Sequence, residues 1–381
     1  MVDSGLRVEI RKGLEGVYLD TSELSFINGE RGELVYLGYH IDELAGKASF
    51  EEVAYLLWYG RLPKAEELAD FSKKIRAEYR LSETILETIE LYPRDAQPMD
   101  VLRTTVSCLA MTDPDVADNS RDAEIRKGIR LVAKFPVILA AFQRLRSGKD
   151  VVKPRGDLSL AANFLYMLTG GVPDESAVEA MDMALVLHAD HSMNASTFAS
   201  RVVASTLSDV HAAVTAGIGC LKGPLHGGAN QRVVEMLDKI GKPENAQKYI
   251  VDMLARREKV PGFGHRVYKT LDPRSVHLKK ATVELADKTG RTNWYEMLTG
   301  IQDVMMEKVG PRIAPNVDLY SGSVYAMLGI PTDMFTPIFA MSRVSGWVAH
   351  VMEQHSDNRI IRPRVQYVGR KGLKFVPIDQ R

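Results

Sequence analysis

The chain contains 381 residues, of which 45% are hydrophobic and 26% are charged, a composition typical of globular proteins with about two domains. The 49 Lys and Arg residues balance the 49 Asp and Glu residues, so the formal net charge is zero. A neutral chain lacks the long-range field that attracts nucleic acid or an anionic membrane surface. Any anionic ligand must therefore be captured by local clusters of basic side chains.

The N-terminal stretch MVDSGLRVEIRKGL lacks the apolar core of a signal peptide, and no segment contains 18 uninterrupted apolar residues. We therefore expect a soluble, cytoplasmic protein. The two cysteines, Cys108 and Cys220, lie among apolar or small residues without CxxC spacing. This context predicts buried, reduced thiols.

The β pattern is confined to residues 14–36, where apolar and aromatic residues lie on either side of the turn signal Asn28-Gly29. The pattern that follows is helical almost throughout. Ser49 and Glu52, for example, have the spacing of a capping box at the start of a helix. The sequence therefore predicts a mainly α protein with a small N-terminal β-hairpin or meander.

Residues 176–192 are predicted to form a helix that carries His188, with His191 one turn beyond it. Two histidines on one helix face can bind zinc, but HADH lacks the Glu of HExxH and has no cysteine nearby. A buried histidine pair or a polar binding wall is therefore favoured over a metal site. Ala, Ser, Thr and Gly dominate residues 194–220, which predicts close helix packing, either inside the molecule or between subunits.

Three glycine- or proline-rich stretches carry the other candidate side chains. In residues 223–231, GPLHGGANQ, the small neighbours let His226 approach a ligand and donate a hydrogen bond to a developing anion. The alternative is a histidine that caps the following helix. In residues 314–322, APNVDLYSG, Asp318 is either a general base or the cap of a helix that begins near Ser321.

The third stretch, VPGFGHRVYKTLDPR at residues 260–274, combines a bare-backbone loop, one histidine and a cluster of cations. It follows a helical pattern and lacks the GxGxxG spacing of a dinucleotide-binding turn. The stretch is therefore a candidate site for an anionic ligand.

In this order and at this spacing, the stretches resemble the short form of citrate synthase found in archaea and many bacteria. The resemblance runs from about residue 12 to about residue 370. It also rests on LVLHADHSMNASTFASR at 185–201, on SRVSGWVAH around Arg343 and on the Arg-Pro pair at 362–363. One departure is YLGYH, with Leu37 where the family commonly has an arginine.

The resemblance implies a two-domain citrate synthase-like helical fold. Residues 1–221 and 326–381 would form a large helical domain that contains the dimer interface. Residues 222–325 would form a small helical domain that carries the CoA-binding and catalytic residues. The active site would lie in the cleft between them, oxaloacetate would close that cleft, and the protein would be a homodimer without nucleic-acid or membrane partners.

The resemblance also implies an acyltransferase that condenses acetyl-CoA with oxaloacetate and hydrolyses the citryl-CoA thioester, the entry step of the tricarboxylic acid cycle. At the matching positions, Asp318 would remove a methyl proton and His226 would donate to the enolate oxygen. His265 would polarise the ketone of oxaloacetate. Acetyl-CoA would be a co-substrate, with no metal and no permanently bound cofactor.

The same matches imply the binding residues. The oxaloacetate ligands would be His191, Arg274, Arg343 and Arg362, the last supplied by the partner subunit. The CoA contacts would be Val260, Pro261, Gly262, Phe263, Gly264, Arg266, Lys269, Arg312 and Asn316. One alternative is 2-methylcitrate synthase, which uses propionyl-CoA with the same catalytic residues. The alternative from a different class is a catalytically inactive helical scaffold.

Overall fold

The computed structural model describes residues 10–381; the first nine residues of the predicted large domain lie outside this range. A three-stranded antiparallel sheet lies near the N-terminus. Its strands are β1 (Ser25–Asn28), β2 (Glu33–Tyr36) and β3 (Tyr39–His40), in that order. The Asn28 side chain closes the first turn by accepting the N–H groups of Glu30 and Arg31, both at 3.1 Å. The predicted β region is confirmed in its second half, whereas residues 15–24 form no strand.

Helices make up the rest of the regular structure in the described range. The first ten are α1 (Ile41–Leu44), α2 (Phe50–Tyr59), α3 (Ala65–Ala77), α4 (Glu83–Leu91), α5 (Pro98–Leu109), α6 (Arg121–Arg146), α7 (Leu160–Thr169), α8 (Glu175–His188), α9 (Ala195–Ala204) and α10 (Val210–Leu221). The next six are α11 (Ala229–Ile240), α12 (Pro243–Ala255), α13 (Pro273–Thr289), α14 (Thr292–Lys308), α15 (Val317–Met327) and α16 (Phe335–Ser356). Short 3-10 turns lie at Lys12–Leu14, Ala110–Thr112, Thr332–Met334 and Ile378–Gln380. The mainly α fold class is thereby confirmed.

The capping box predicted at the start of α2 is confirmed. The Ser49 hydroxyl accepts the N–H of Glu52 at 3.3 Å, and the Glu52 carboxylate accepts the N–H of Ser49 at 2.8 Å. These two bonds satisfy N–H groups that the first turn of a helix leaves without partners.

The C-terminal end of the helix predicted over residues 176–192 is wrong, because α8 ends at His188. Ser192 has a left-handed backbone conformation (φ 49°), which a continuing helix does not allow. Asn194 then caps α9 through its side-chain oxygen. His191 consequently lies in a turn between two helices and not on a helix face.

α16 is the central helix, and 19 of its 22 residues are buried. It packs against α2, α6, α8, α9 and α10. Small residues make this possible: a Cβ atom on Gly217 of α10 would lie 2.6 Å from the Ser200 hydroxyl and 2.9 Å from the Trp347 ring. For residues 194–220, close packing inside the molecule is therefore confirmed.

α11–α15 pack mainly on one another. α11 and α13 lie against α15, and α12 lies against α14. α13 also contacts α8, so the loop that precedes α13 reaches the turn between α8 and α9. The domain boundaries at residues 222 and 325 stay a prediction.

Cys108 and Cys220 are free thiols, and each is partly exposed. The prediction of full burial is wrong because both lie on helix faces that the chain does not completely cover. No helix within residues 10–381 combines the length and the apolar character needed to cross a membrane.

Replacing Gly217 with alanine tests the packing of α10 on α16. The added methyl group has no room beside Ser200 and Trp347, so the free energy of unfolding should fall by about 1–3 kcal/mol. Gly300 in α14 is the matched control, because a Cβ there would meet only Ala246 at 3.7 Å. Gly300→Ala should raise the free energy of unfolding by about 0.5–1 kcal/mol. Urea denaturation measures both, and equal effects would contradict the packing described.

Candidate active site

Two loops pair with each other and form the base of the candidate site. Gly264 donates its N–H to the carbonyl of Ala314 at 2.9 Å, and Asn316 donates its N–H to the carbonyl of Gly262 at 3.0 Å. Gly262 has a left-handed conformation (φ 81°), and a Cβ atom there would lie 2.9 Å from Cα of Leu319. Glycine is therefore required where the histidine-bearing loop approaches α15.

Asp318 lies in the first turn of α15, which begins four residues before the predicted start at Ser321. Asn316 caps this helix, and its side-chain oxygen accepts the N–H of Asp318 at 3.0 Å. The alternative of Asp318 as a capping residue is thus wrong, because a different side chain fills that role.

The electrostatic environment of Asp318 suits a base. Burial raises the pKa of its carboxyl group to about 6, while the positive charges of Arg274 and Arg232 oppose the rise and Asp272 adds to it. At neutral pH the group is mostly ionised and yet more basic than an ordinary aspartate. Such a carboxylate can take a proton from a bound ligand.

The hydrogen bonds of His265 determine which of its ring nitrogens carries the proton. Its Nδ1 atom accepts the main-chain N–H groups of Val267 at 3.0 Å and Tyr268 at 3.2 Å. Burial, aided by the charge of Arg274, lowers its pKa to about 4, so the ring is neutral at pH 7. The single ring proton is therefore on Nε2, which can donate to a ligand oxygen.

His226 has the opposite tautomer. Its Nε2 atom accepts the main-chain N–H of Ser196 at 3.3 Å, in the first turn of α9, and the Ser196 hydroxyl lies 2.9 Å away. Burial and the nearby Arg343 lower its pKa to about 4, so this ring is also neutral. Its proton is on Nδ1. The alternative of His226 as a helix cap is wrong, because Gly228 is the N-cap of α11 and no side chain of the described residues caps that helix.

Arg343 is a buried cation with a free donor. Its side chain is 1% exposed, its Nε atom donates to the carbonyl of His188 at 2.7 Å, and its guanidinium lies 4.7 Å from the Phe339 ring centre. Its Nη2 atom is buried and has no hydrogen-bond partner within residues 10–381. Burial lowers the pKa of Arg343 to about 10. A buried donor without a partner is costly, and an anionic ligand would relieve that cost.

Arg274 is also buried, but its guanidinium group already pairs with a carboxylate of the protein. Its Nε and Nη2 atoms donate to the two carboxylate oxygens of Asp272 at 3.0 and 2.8 Å. Only Nη1 of Arg274 lies outside this ion pair, so a substrate carboxylate cannot pair with both Nε and Nη2 while Asp272 holds them. Asp272 also accepts the N–H of Val317 at 3.3 Å, which ties Arg274 to the start of α15.

The HADH turn contributes His191 and its neighbours. Nε2 of His191 lies 3.2 Å from the Tyr268 hydroxyl, and its ring centre lies 5.3 Å from that of His265. His188 bonds through Nδ1 to the carbonyl of Ala184 at 2.7 Å, so it faces its own helix. The favoured interpretation of a buried polar wall fits these contacts. No group of three or more metal-binding side chains occurs in the part of the chain that the structure describes.

The remaining predicted site residues differ in their exposure to solvent. Val260 and Asn316 are buried, and Asn316 donates from its side chain to the carbonyl of Gly264 at 2.8 Å. Pro261 and Phe263 are partly exposed. Four predicted cations are exposed: Arg266, Lys269, Arg312 and Arg362, the last in the C-terminal segment after α16.

Sequence reasoning missed three residues that shape the site: Ser196, Tyr268 and Phe339. Ser196 and Tyr268 lie inside stretches already singled out, but their contacts depend on neighbours that are distant in sequence. Phe339 packs edge-on against His188, with ring centres 4.7 Å apart, and beneath Arg343. Nothing in the local pattern distinguishes it from other apolar residues of α16.

The arrangement has a definite chemical capacity. A base of raised pKa can remove a proton beside a carbonyl, and a neutral imidazole can donate to the enolate oxygen. A second imidazole can polarise another carbonyl, and a buried guanidinium can hold a carboxylate. Groups with these properties suit a helical enzyme of the kind that joins two carbonyl compounds.

Comparison with known proteins identifies the family. The family model described as citrate synthase, C-terminal domain, matches residues 13–364. The chain is 49% identical to citrate synthase 2 of Bacillus subtilis, over 97% of this chain and 99% of that protein. It is 41% identical to 2-methylcitrate synthase 1 of Corynebacterium glutamicum, over 98% of this chain and 99% of that protein. The chain belongs to the citrate synthase family, a family of acyltransferases.

A solved structure supports the same conclusion. The citrate synthase of Thermoplasma acidophilum, in a ternary complex with carboxymethyl coenzyme A and oxaloacetate, superposes with a TM-score of 0.92 at 34% sequence identity. The match covers 97% of this chain and 99% of the other. The predicted citrate synthase-like fold is therefore confirmed.

Asp318→Asn should change how stability depends on pH. Because the folded-state pKa is raised from 3.8 to about 6, the stabilisation from protonated Asp318 is complete below pH 3.8 and lost as the pH rises through 6. The uncharged variant should therefore be more stable than the wild type above pH 7, by about 1–3 kcal/mol, with little difference near pH 4. Urea denaturation across this range measures it. A difference that stays constant from pH 4 to pH 8 would contradict the raised pKa of Asp318.

Proposed function

We propose that this chain condenses acetyl-CoA with oxaloacetate and hydrolyses the resulting citryl-CoA, releasing citrate and CoA. One observation carries the proposal: a carboxylate of raised pKa and two neutral imidazoles with opposite tautomers lie near two buried guanidinium groups. The charge of Arg274 acts on Asp318 and His265. The charge of Arg343, whose Nη2 atom has no partner within residues 10–381, acts on His226. Family membership supports it. The reaction would be the entry step of the tricarboxylic acid cycle.

The first step would be formation of the enolate of acetyl-CoA. Asp318 would take a proton from the methyl carbon, and a positioned base contributes about 10²–10⁴ in rate. Nδ1–H of His226 would donate to the thioester oxygen, which becomes negative as the proton leaves. A preorganised donor of this kind contributes roughly 10²–10³. Both groups start in the protonation state that the step requires.

The second step would be attack of the enolate carbon on the ketone of oxaloacetate. Nε2–H of His265 would polarise the ketone oxygen and protonate the new hydroxyl group. Arg343 would bind a substrate carboxylate through Nη2, with Arg274 and His191 completing the pocket. Water would then hydrolyse the thioester of citryl-CoA, and the thiol of CoA would leave. Asp318 and the imidazoles supply the acid–base chemistry, so we propose no resident metal or cofactor.

CoA would bind along the loop of residues 260–264, whose main-chain groups lie beside α15. The exposed cations Arg266, Lys269 and Arg312 lie on or beside the paired loops and would contact the CoA phosphates. Asn316 would hold this loop in place through its bond to Gly264.

The site would be completed by movement of two domains, residues 1–221 with 326–381 and residues 222–325. Two contacts join the proposed domains and would stabilise a closed state. Asp42 pairs with His277 at 2.6 Å, and Lys269 donates its N–H to the carbonyl of Gly29 at 2.9 Å. Oxaloacetate would favour this state, which excludes water before acetyl-CoA binds.

The functional unit would be a cytoplasmic homodimer. The C-terminal segment after α16 has little regular secondary structure and exposes apolar side chains, including Ile360, Val365, Phe375 and Ile378. An exposed apolar segment of this length favours burial against another subunit. Arg362 lies in the same segment and would reach the oxaloacetate site of the partner.

Two alternatives remain to be tested. The relative named 2-methylcitrate synthase has 41% identity, and one extra methylene changes binding by only about 1–3 kcal/mol. Steady-state kinetics with acetyl-CoA and propionyl-CoA would separate the two activities. A scaffold without activity would release no thiol with either acyl-CoA.

Asp318→Asn should reduce kcat by about 10²–10⁴, because the base that removes the methyl proton is lost. In the wild type, kcat/KM should decrease as the pH falls below about 6, where Asp318 becomes protonated. The assay follows free thiol from acetyl-CoA in the presence of oxaloacetate. Asp238→Asn, at an exposed position of α11, is the control and should keep wild-type activity. An active Asp318→Asn enzyme would contradict the proposed base.

Mixing two inactive variants tests whether Arg362 acts across the dimer. An Arg362→Ala subunit and an Asp318→Asn subunit would form one intact site in each mixed dimer. If subunits pair at random, about half of the dimers are mixed and activity should recover to about a quarter of the wild type. Thiol release is measured after the subunits are unfolded and refolded together. No recovery despite mixed dimers would mean that Arg362 serves its own subunit or none.

A further inference from the structure

We propose that Tyr268 is a positioning residue that fixes the tautomer of His191, so that His191 presents Nδ1–H to oxaloacetate. This inference rests on the proposed function, since it concerns how the same substrate is held. It adds a residue outside the set expected from the family resemblance.

Tyr268 touches both histidines that face the oxaloacetate pocket. Its hydroxyl lies 3.2 Å from Nε2 of His191, and its main-chain N–H donates to Nδ1 of His265 at 3.2 Å. Its ring centre lies 4.8 Å from that of His265 and 5.6 Å from that of His191. One residue therefore links the turn between α8 and α9 to the loop that precedes α13.

The protonation states of the pair decide the direction of the hydrogen bond. Burial raises the pKa of the Tyr268 hydroxyl above its usual range, so the phenol keeps its proton. Burial also lowers the pKa of His191 well below its usual value, so that ring is neutral. A neutral imidazole has one donor and one acceptor nitrogen, and a hydrogen bond to one nitrogen determines which of them carries the proton.

The hydroxyl of Tyr268 has a single hydrogen-bond partner in the described part of the chain. Tyr268 is 2% exposed, and within residues 10–381 the only hydrogen bond of its hydroxyl is the one to His191. A buried hydroxyl whose protein partner is a neutral imidazole nitrogen satisfies its proton by donating to that nitrogen. Nε2 of His191 therefore accepts, and the ring proton lies on Nδ1. Because His191 and His265 then each offer one N–H, the pocket presents donors and no acceptor from these two rings.

Without the phenol, His191 would exchange between its two tautomers. Part of the population would then offer a lone pair to an oxygen of the anionic substrate, which repels it. We expect Tyr268→Phe to weaken oxaloacetate binding by roughly 3- to 10-fold, the size of one lost hydrogen bond. In steady state, KM for oxaloacetate should rise while KM for acetyl-CoA and kcat change by less than about twofold.

A double-mutant cycle separates this role from a general loss of packing. Oxaloacetate binding is measured by isothermal titration for the wild type, Tyr268→Phe, His191→Asn and the double variant. In the His191→Asn background, Tyr268→Phe should add less than about a twofold loss, because the residue through which it acts is gone. Tyr320→Phe is the matched control: its hydroxyl is equally buried but donates to Gln302 on α14, and it should bind oxaloacetate as the wild type does.

A measurement on the wild type needs no Tyr268 variant. Nitrogen chemical shifts of ¹⁵N-histidine-labelled enzyme report the tautomer, with His191→Asn used to assign the signal. Protonation at Nδ1 is expected, and protonation at Nε2 would overturn the inference. Unchanged oxaloacetate binding in Tyr268→Phe, or an equal loss in both backgrounds of the cycle, would also overturn it. Failure of the wild type to bind oxaloacetate would instead overturn the proposed function, and this inference with it.

Discussion

The pairing of residues 262–264 with residues 314–316 is the contact on which the site depends. It joins a loop that carries His265 to the helix start that carries Asp318, although about 50 residues separate them in sequence. Because main-chain groups make the bonds, the geometry depends on backbone conformation and on the absence of a Cβ at Gly262. The loop pairing thereby holds His265 and Asp318, the proposed carbonyl-polarising imidazole and the proposed base, on connected segments. The other candidate groups come from the turn after α8, from the turn before α11 and from α16.

Burial then gives each group its chemical character. The same loss of solvent that makes Asp318 more basic makes the imidazoles of His226 and His265 neutral. Main-chain N–H groups select the tautomers, so each ring directs a donor away from the bond that fixes it. Within residues 10–381 Arg343 has no carboxylate partner, which costs stability and favours an anionic ligand. The unsatisfied donor of Arg343 and the raised pKa of Asp318 lower the stability of the free protein, and a bound ligand that pairs with these groups would recover that free energy.

Much of the fold and of the site could be predicted from the sequence. Helical periodicity and the Ser49 capping box are local, so the fold class and the start of α2 were correctly predicted. Glycine- or proline-rich stretches marked His226, His265 and Asp318; main-chain N–H groups contact both imidazoles, and burial raises the pKa of the carboxylate. The predicted end of α8 was wrong because Ser192 adopts a left-handed conformation that the sequence pattern does not indicate. Tyr268 was missed because its partner lies 77 residues away, and such contacts are set by tertiary packing.

The central claim is that one carboxylate and two imidazoles meet around the same forming carbon–carbon bond. A crystal structure of the enzyme with oxaloacetate and carboxymethyl coenzyme A, an acetyl-CoA analogue with a carboxylate in place of the reacting acyl group, tests this most directly. The account predicts that Asp318 and His226 contact the analogue while His265 contacts the ketone oxygen, each within about 2.6–3.2 Å. A complex in which any of the three points away from the bound ligands, with the cleft closed, would contradict it.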